Sequence, residues 1–101
     1  MSEVVRGWAN VMARYNPAWS RPPGALGQCE SATWRFRMWM EDEHGVASEV
    51  VTRRNPPHVA VYVRGLIVDF TMRQFHPDAA YPWFGNYEEW NALLDCCPNP
   101  D

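Results

Sequence analysis

The stretch 58–75, HVAVYVRGLIVDFTMRQF, decides the fold. His58–Val63 and Leu66–Met72 are rich in β-branched and aromatic residues, and Arg64-Gly65 between them is a two-residue hairpin turn. With that turn, Val63 faces Leu66, Tyr62 faces Ile67, Ala60 faces Asp69 and His58 faces Thr71. Side chains alternate along a strand. Val59, Val61, Val63, Leu66, Val68 and Phe70 therefore share one wholly apolar face. His58, Ala60, Tyr62, Ile67, Asp69 and Thr71 share the other. Both faces are largely apolar, so the hairpin is expected at the centre of a sheet covered on both sides. His58 and Asp69 fall diagonally on one face, ~7–8 Å apart by backbone, within reach of a side-chain hydrogen bond. A buried carboxylate without a partner is costly, and His58 is the partner within reach.

The chain around the hairpin punctuates clearly. Glu3–Tyr15 has the spacing of an amphipathic helix, with Val4, Trp8, Val11, Met12 and Tyr15 on one stripe and Ser2 as N-cap. Asn16-Pro17 ends it. Pro17–Gly27 is a proline- and glycine-rich loop that delivers the chain to Gln28-Cys29. A second helix is expected over Glu30–Glu43. Its stripe is Ala32, Phe36, Trp39 and Met40, widened by Trp34 and Met38, and His44-Gly45 stops it. Val46–Arg54 reads as a strand, and Asn55-Pro56-Pro57 as a sharp break. Gln74–Asn86 reads as loop. Tyr87–Asp95 is a short helix capped by Asn86, and residues 95–101 are expected to fray.

Composition bounds the function. The chain has 101 residues, a net charge of −3 and 47% hydrophobic residues, which suits one domain with one core. Its nine Lys and Arg are scattered rather than gathered into a nucleic-acid footprint. No apolar run approaches the length of a membrane span, and the N-terminal stretch lacks the apolar core of a signal peptide, so a protein that is cytoplasmic or delivered into a target cell is expected. Three cysteines, two of them adjacent, argue against a disulfide framework and for a reducing compartment. As zinc ligands, Cys29, His44, His58, His76, Cys96 and Cys97 offer no CxxC or HxxxH pair, and no metal or other cofactor is expected. The six tryptophans read as core rather than as a base-stacking platform, although Trp19, Trp83 and Phe84 fall in loops where they could line a cleft.

Cys29, His58 and Asp69 together carry chemistry. A thiol becomes nucleophilic as thiolate, and a helix N-terminus with a nearby imidazolium favours that form. Cys29 falls where the loop enters the second helix. His58 would act as base and then acid, and Asp69 would orient its ring. The backbone N–H of Cys29 is one oxyanion donor, and Gln28 or a side chain of the preceding loop is a candidate for the other.

Gly27-Gln28-Cys29 opening a helix, followed by H-x-A-V and G-x-x-V-D-x-T-x-R-Q-F, resembles the papain-like and transglutaminase-like cysteine hydrolase superfamily, in particular bacterial papain-fold toxin and deamidase domains. The resemblance covers roughly residues 24–85. It implies an α+β papain-like fold, with a Cys-bearing helix packed on a small antiparallel sheet and helices flanking it at both ends. It also implies nucleophile Cys29, base His58 and orienting Asp69, acting through a thioester on an amide of a protein or peptide. Toxins, effectors and phage-encoded modifiers are the roles it suggests. Here Glu30, Ser31, Ala32, Thr33 and Trp34 replace the small residues that often follow the family's cysteine, and Gln28 directly abuts the nucleophile. A non-enzymatic binding or inhibitor protein on the same scaffold, gripping a partner with loop aromatics, is the alternative.

Overall fold

The hairpin sits at the centre of a four-stranded antiparallel sheet. The computed structural model describes residues 2–96. Strands β1 (Glu49–Arg54), β2 (Pro57–Val63), β3 (Leu66–Asp69) and β4 (Trp83–Gly85) lie in the order β1-β2-β3-β4. The β2–β3 register is Val61 opposite Val68, Tyr62 opposite Ile67 and Val63 opposite Leu66, as the two-residue turn requires, and the ladder stops short of the expected Ala60–Asp69 and His58–Thr71 pairs. Arg64 (φ 51°) and Gly65 (φ 79°) both adopt the left-handed conformation that matches a tight hairpin to strand twist. Among the described residues there are four α-helices: α1 (Ser2–Tyr15), α2 (Pro22–Ala25), α3 (Cys29–His44) and α4 (Tyr87–Asp95).

The two hairpin faces found two different cores. Val61, Val63, Leu66, Val68 and Phe70 pack against Val5, Ala9 and Met12 of α1 and Ala32, Phe36 and Met40 of α3. On the other face, Ala60 and Ile67 pack with Met72 and with Trp90 and Leu94 of α4. The result is an α+β fold with helices on both faces of the sheet.

Several expectations need correction. The buried stripe of α1 is Val5, Ala9, Met12 and Ala13, while Val4 and Tyr15 are exposed. Both stripes satisfy helical spacing, and the alanines allow the closer approach. On α3, Thr33 joins the core, whereas Trp34 and Met38 face outward. The proline-rich loop contains a 3-10 turn (Pro17–Ser20) and α2, both opened by proline. Gly24 is required there, since a Cβ would sit 2.0 Å from the Ala18 carbonyl oxygen. The first strand begins at Glu49 rather than Val46. Val46 N–H is held by the Met40 carbonyl, and Ser48 by Arg37. β3 ends at Asp69 rather than Met72, because Asp69 Oδ1 accepts the Thr71 N–H (2.9 Å) and the chain turns into a 3-10 segment over Met72–Gln74. β4 lies inside the stretch read as loop, paired with β3 through Asp69 and Trp83.

Helix α4 matches its expected bounds, with Asn86 as cap. Its side chain accepts from Glu89 N–H (2.8 Å), while Glu89 Oε1 accepts from Asn86 N–H (2.9 Å). Asp95 is helical and pairs with Arg53 of β1. Arg53 also bonds the Asn91 carbonyl and side chain, so α4 is fastened to the sheet. The tail from 97 onward, including Cys97, and the Ser2 side chain proposed as a cap lie outside the described residues.

Candidate active site

Helix α3 and strand β2 meet at the end of the sheet where Cys29 and His58 both lie. Cys29 is the first residue of α3, after Gln28, whose carbonyl accepts the Ala32 N–H (2.9 Å). The first N–H groups of a helix lack intrahelical partners and concentrate positive potential there. The free thiol of Cys29 is half-buried. His58, one residue into β2, is 2% exposed.

Asp69 organises the buried end of the site. Its Oδ2 lies 2.6 Å from His58 Nε2 and accepts Trp90 Nε1–H at 2.9 Å. Its Oδ1 accepts Thr71 N–H at 2.9 Å and the Thr71 hydroxyl at 3.4 Å. The carboxylate is thus buried with its lone pairs occupied, which offsets its desolvation. With Asp69 as acceptor, Nε2 carries a proton, and Nδ1 is the nitrogen left for the thiol.

The His58 ring is boxed by aromatics. Trp90 stacks on it (centroids 5.8 Å, 24° between planes) and Phe75 meets it edge-on (5.0 Å, 88°). Trp90 contributes twice: its face fixes the ring, and its N–H fixes the acid that orients the ring. Reading the tryptophans as core missed this. An indole has one polar atom that needs a partner when buried, but nothing in the sequence around residue 90 says which acceptor it finds.

Charge in the site is shared between two groups. The Cys29 thiol is held below its ordinary value, first by hydrogen bonding toward His58. Burial opposes this, while backbone N–H groups of Val59 and Glu30 and the charge on His58 assist. Burial opposes protonation of His58, but the charge and hydrogen bond of Asp69, with help from the Cys29 sulfur, raise it to about 9. The sulfur and ring are neighbours without a fully formed bond. Among the described residues, His58 Nδ1 is the buried side-chain polar atom that lacks a partner. Catalytic hydrogen bonds are commonly long in an unliganded site and tighten on substrate.

The remaining candidates sit as follows. Gln28 is exposed beside the thiol, and its side chain makes no capping bond. Trp19 is only 7% exposed and packs on Phe70 in the main core, so it offers little surface to a substrate. Trp83 is half-buried in β4 against the α4 core. Arg73 ties Ala79 to Ser20 through their carbonyls (2.8 and 2.9 Å), and Gln74 bridges Gly27 N–H and the Thr71 hydroxyl. These two residues link the loop before Cys29 to the segment after Asp69. His76 bonds the Leu93 carbonyl at 2.6 Å and His44 stacks on Trp8, both away from the thiol. Among the described residues, no three His, Cys, Asp or Glu side chains gather as metal ligands.

Comparison of the chain with family models, curated proteins and solved structures finds no match.

Proposed function

We propose that the chain is a thiol-dependent amide hydrolase of the papain-like kind, deamidating or cleaving a protein or peptide through a thioester on Cys29. The observation that carries this reading is the buried Asp69–His58 pair, with His58 Nδ1 left unpartnered among the described residues, in company with a thiol at a helix N-terminus whose pKa the ring lowers. A purely structural cysteine has no need of a histidine oriented by a buried, fully bonded carboxylate.

The chemistry follows from the groups present. The Cys29 thiolate attacks the amide carbonyl carbon, forming the C–S bond and an oxyanion. The backbone N–H of Cys29 would donate to that oxygen, with the Gln28 amide as a candidate second donor. The C–N bond then breaks and His58 Nδ1–H protonates the departing ammonia or amine. Water, giving its proton to His58, next attacks the thioester. The C–S bond breaks, the thiolate is restored and a carboxylic acid leaves. An amine in place of water would give transglutamination.

An activated ester tests acylation without knowledge of the natural substrate. With p-nitrophenyl acetate, a burst of one p-nitrophenolate per chain is expected, absent from Cys29→Ser. For amide substrates the working form is thiolate with imidazolium. Activity should rise as pH passes the lowered thiol value and fall as His58 loses its proton near 9. The same shift is a stability statement. His58 is raised from 6.5, so its contribution is fully present below about 6.5 and is lost as pH rises through about 9. An amide-hydrolysis rate that keeps climbing above that pH contradicts His58 as the acid.

The depth of His58 favours a second reading, a non-enzymatic binding protein on the same scaffold, in which the buried ring has no access to substrate. Absence of any acylation burst in the folded wild-type chain decides for it.

A further inference from the structure

The sheet is covered unevenly near the thiol. Val50 of β1 pairs with Val61, and Thr52 with Val59, so Val50 and Thr52 point to the α3 side of the sheet. Helix α3 packs over β2 instead of β1. This leaves Val50 38% and Trp34 59% exposed, both lining an open groove of about 460 Å³ that Arg37 and Val59 also line. Glu30 lies in the same groove. Glu30 and Val59 directly follow Cys29 and His58 in the chain, so the groove adjoins the candidate site.

The groove's chemistry narrows its occupant. Arg37 is held in the groove wall by the Ser48 hydroxyl (3.1 Å) and carbonyl (2.8 Å), neutral partners that fix its position. Trp34, Val50 and Val59 supply the apolar surface. Among the described residues, β1 is an edge strand whose outer backbone groups have no strand partner. An unpaired edge beside an apolar groove is what an extended peptide uses, its backbone on the edge and alternate side chains in the groove. The unpaired strand edge beside the groove favours a polypeptide over a small free amide.

Resting on the thiol-hydrolase reading above, we infer that this groove seats the substrate. An extended polypeptide segment lies along the free edge of β1, one large aliphatic or aromatic side chain fills the space between Trp34, Val50 and Val59, and the carbonyl to be attacked is presented at Cys29. Specificity is therefore for an apolar residue near the target amide.

Peptidyl chloromethyl ketones test this, because Cys29 Sγ displaces chloride to leave a stable thioether. Probes carrying Leu, Phe or Asp at the two residues before the ketone are compared, with iodoacetamide as the small reference. The Leu or Phe probe is expected to label Cys29 about tenfold or more faster than its Asp counterpart, after normalisation to iodoacetamide. In Trp34→Ser and Val50→Ser, both surface changes, that ratio should fall toward one. Equal rates for apolar and acidic probes in the wild type, or a ratio unmoved by both substitutions, overturns the groove assignment. Failure of the hydrolase reading looks different: iodoacetamide itself would label Cys29 no faster than the exposed Cys96.

Discussion

His58→Gln is expected to remove acylation by p-nitrophenyl acetate and to lower any amide-hydrolase activity by about 10⁴-fold or more, the scale seen when a member of a nucleophile–base unit is lost. Gln is the informative replacement. Its amide N–H can still reach Asp69, which also keeps the Trp90 and Thr71 donors, so the carboxylate is not left bare. His58→Ala would add about 3–5 kcal/mol of destabilisation from a buried charge that has lost its partner, and so confuse activity with folding. A neutral amide cannot take the thiol proton or return it to a leaving amine. The burst amplitude and turnover are read together with a urea denaturation curve. A folded His58→Gln variant that acylates within tenfold of wild type contradicts the assigned role.

The second large effect is at Trp90, fully buried in the α4 core. Trp90→Ala should cost about 3–5 kcal/mol, a large share of the roughly 5–15 kcal/mol that holds a domain together. That loss alone would show only that the residue packs. Trp90→Phe separates the roles, because it keeps a ring beside His58 and deletes the donor to Asp69 Oδ2. The expected cost is about 1–3 kcal/mol for the acceptor site left short of a partner. With one donor fewer, more of the carboxylate's charge falls on His58, so the alkaline limb of the amide-hydrolysis profile should move upward from about 9. A purely structural Trp90 would lower the denaturation midpoint and leave that limb where it was.

The hairpin and its consequences were readable because they depend on local rules. A two-residue turn fixes register, register fixes faces, and the faces put His58 beside Asp69. Asn86 likewise announces α4 as its cap, and the structure adds Glu89 as the reciprocal partner. What the sequence hid was tertiary. Trp83-Phe84-Gly85 is strand only because β3 offers an edge, and three residues carry no periodicity of their own. The choice between Val4 and Val5 as the inward side of α1 depends on what the helix lands on. Trp90 is apolar pattern in sequence and a hydrogen-bond donor in space. Trp34 has core spacing, yet lies over the uncovered part of β1.

The central claim is that Cys29 is activated by an oriented His58, and the pH dependence of its alkylation tests this most directly. Iodoacetamide labelling from pH 5 to 10, resolved by site in a mass spectrometer, places Cys29 beside the exposed Cys96 in the same chain. The expected profile for Cys29 has substantial labelling well below the ordinary thiol range of about 8.5, and His58→Gln abolishes that low-pH reactivity. A single titration near the ordinary range, the same in wild type and His58→Gln, would contradict the account.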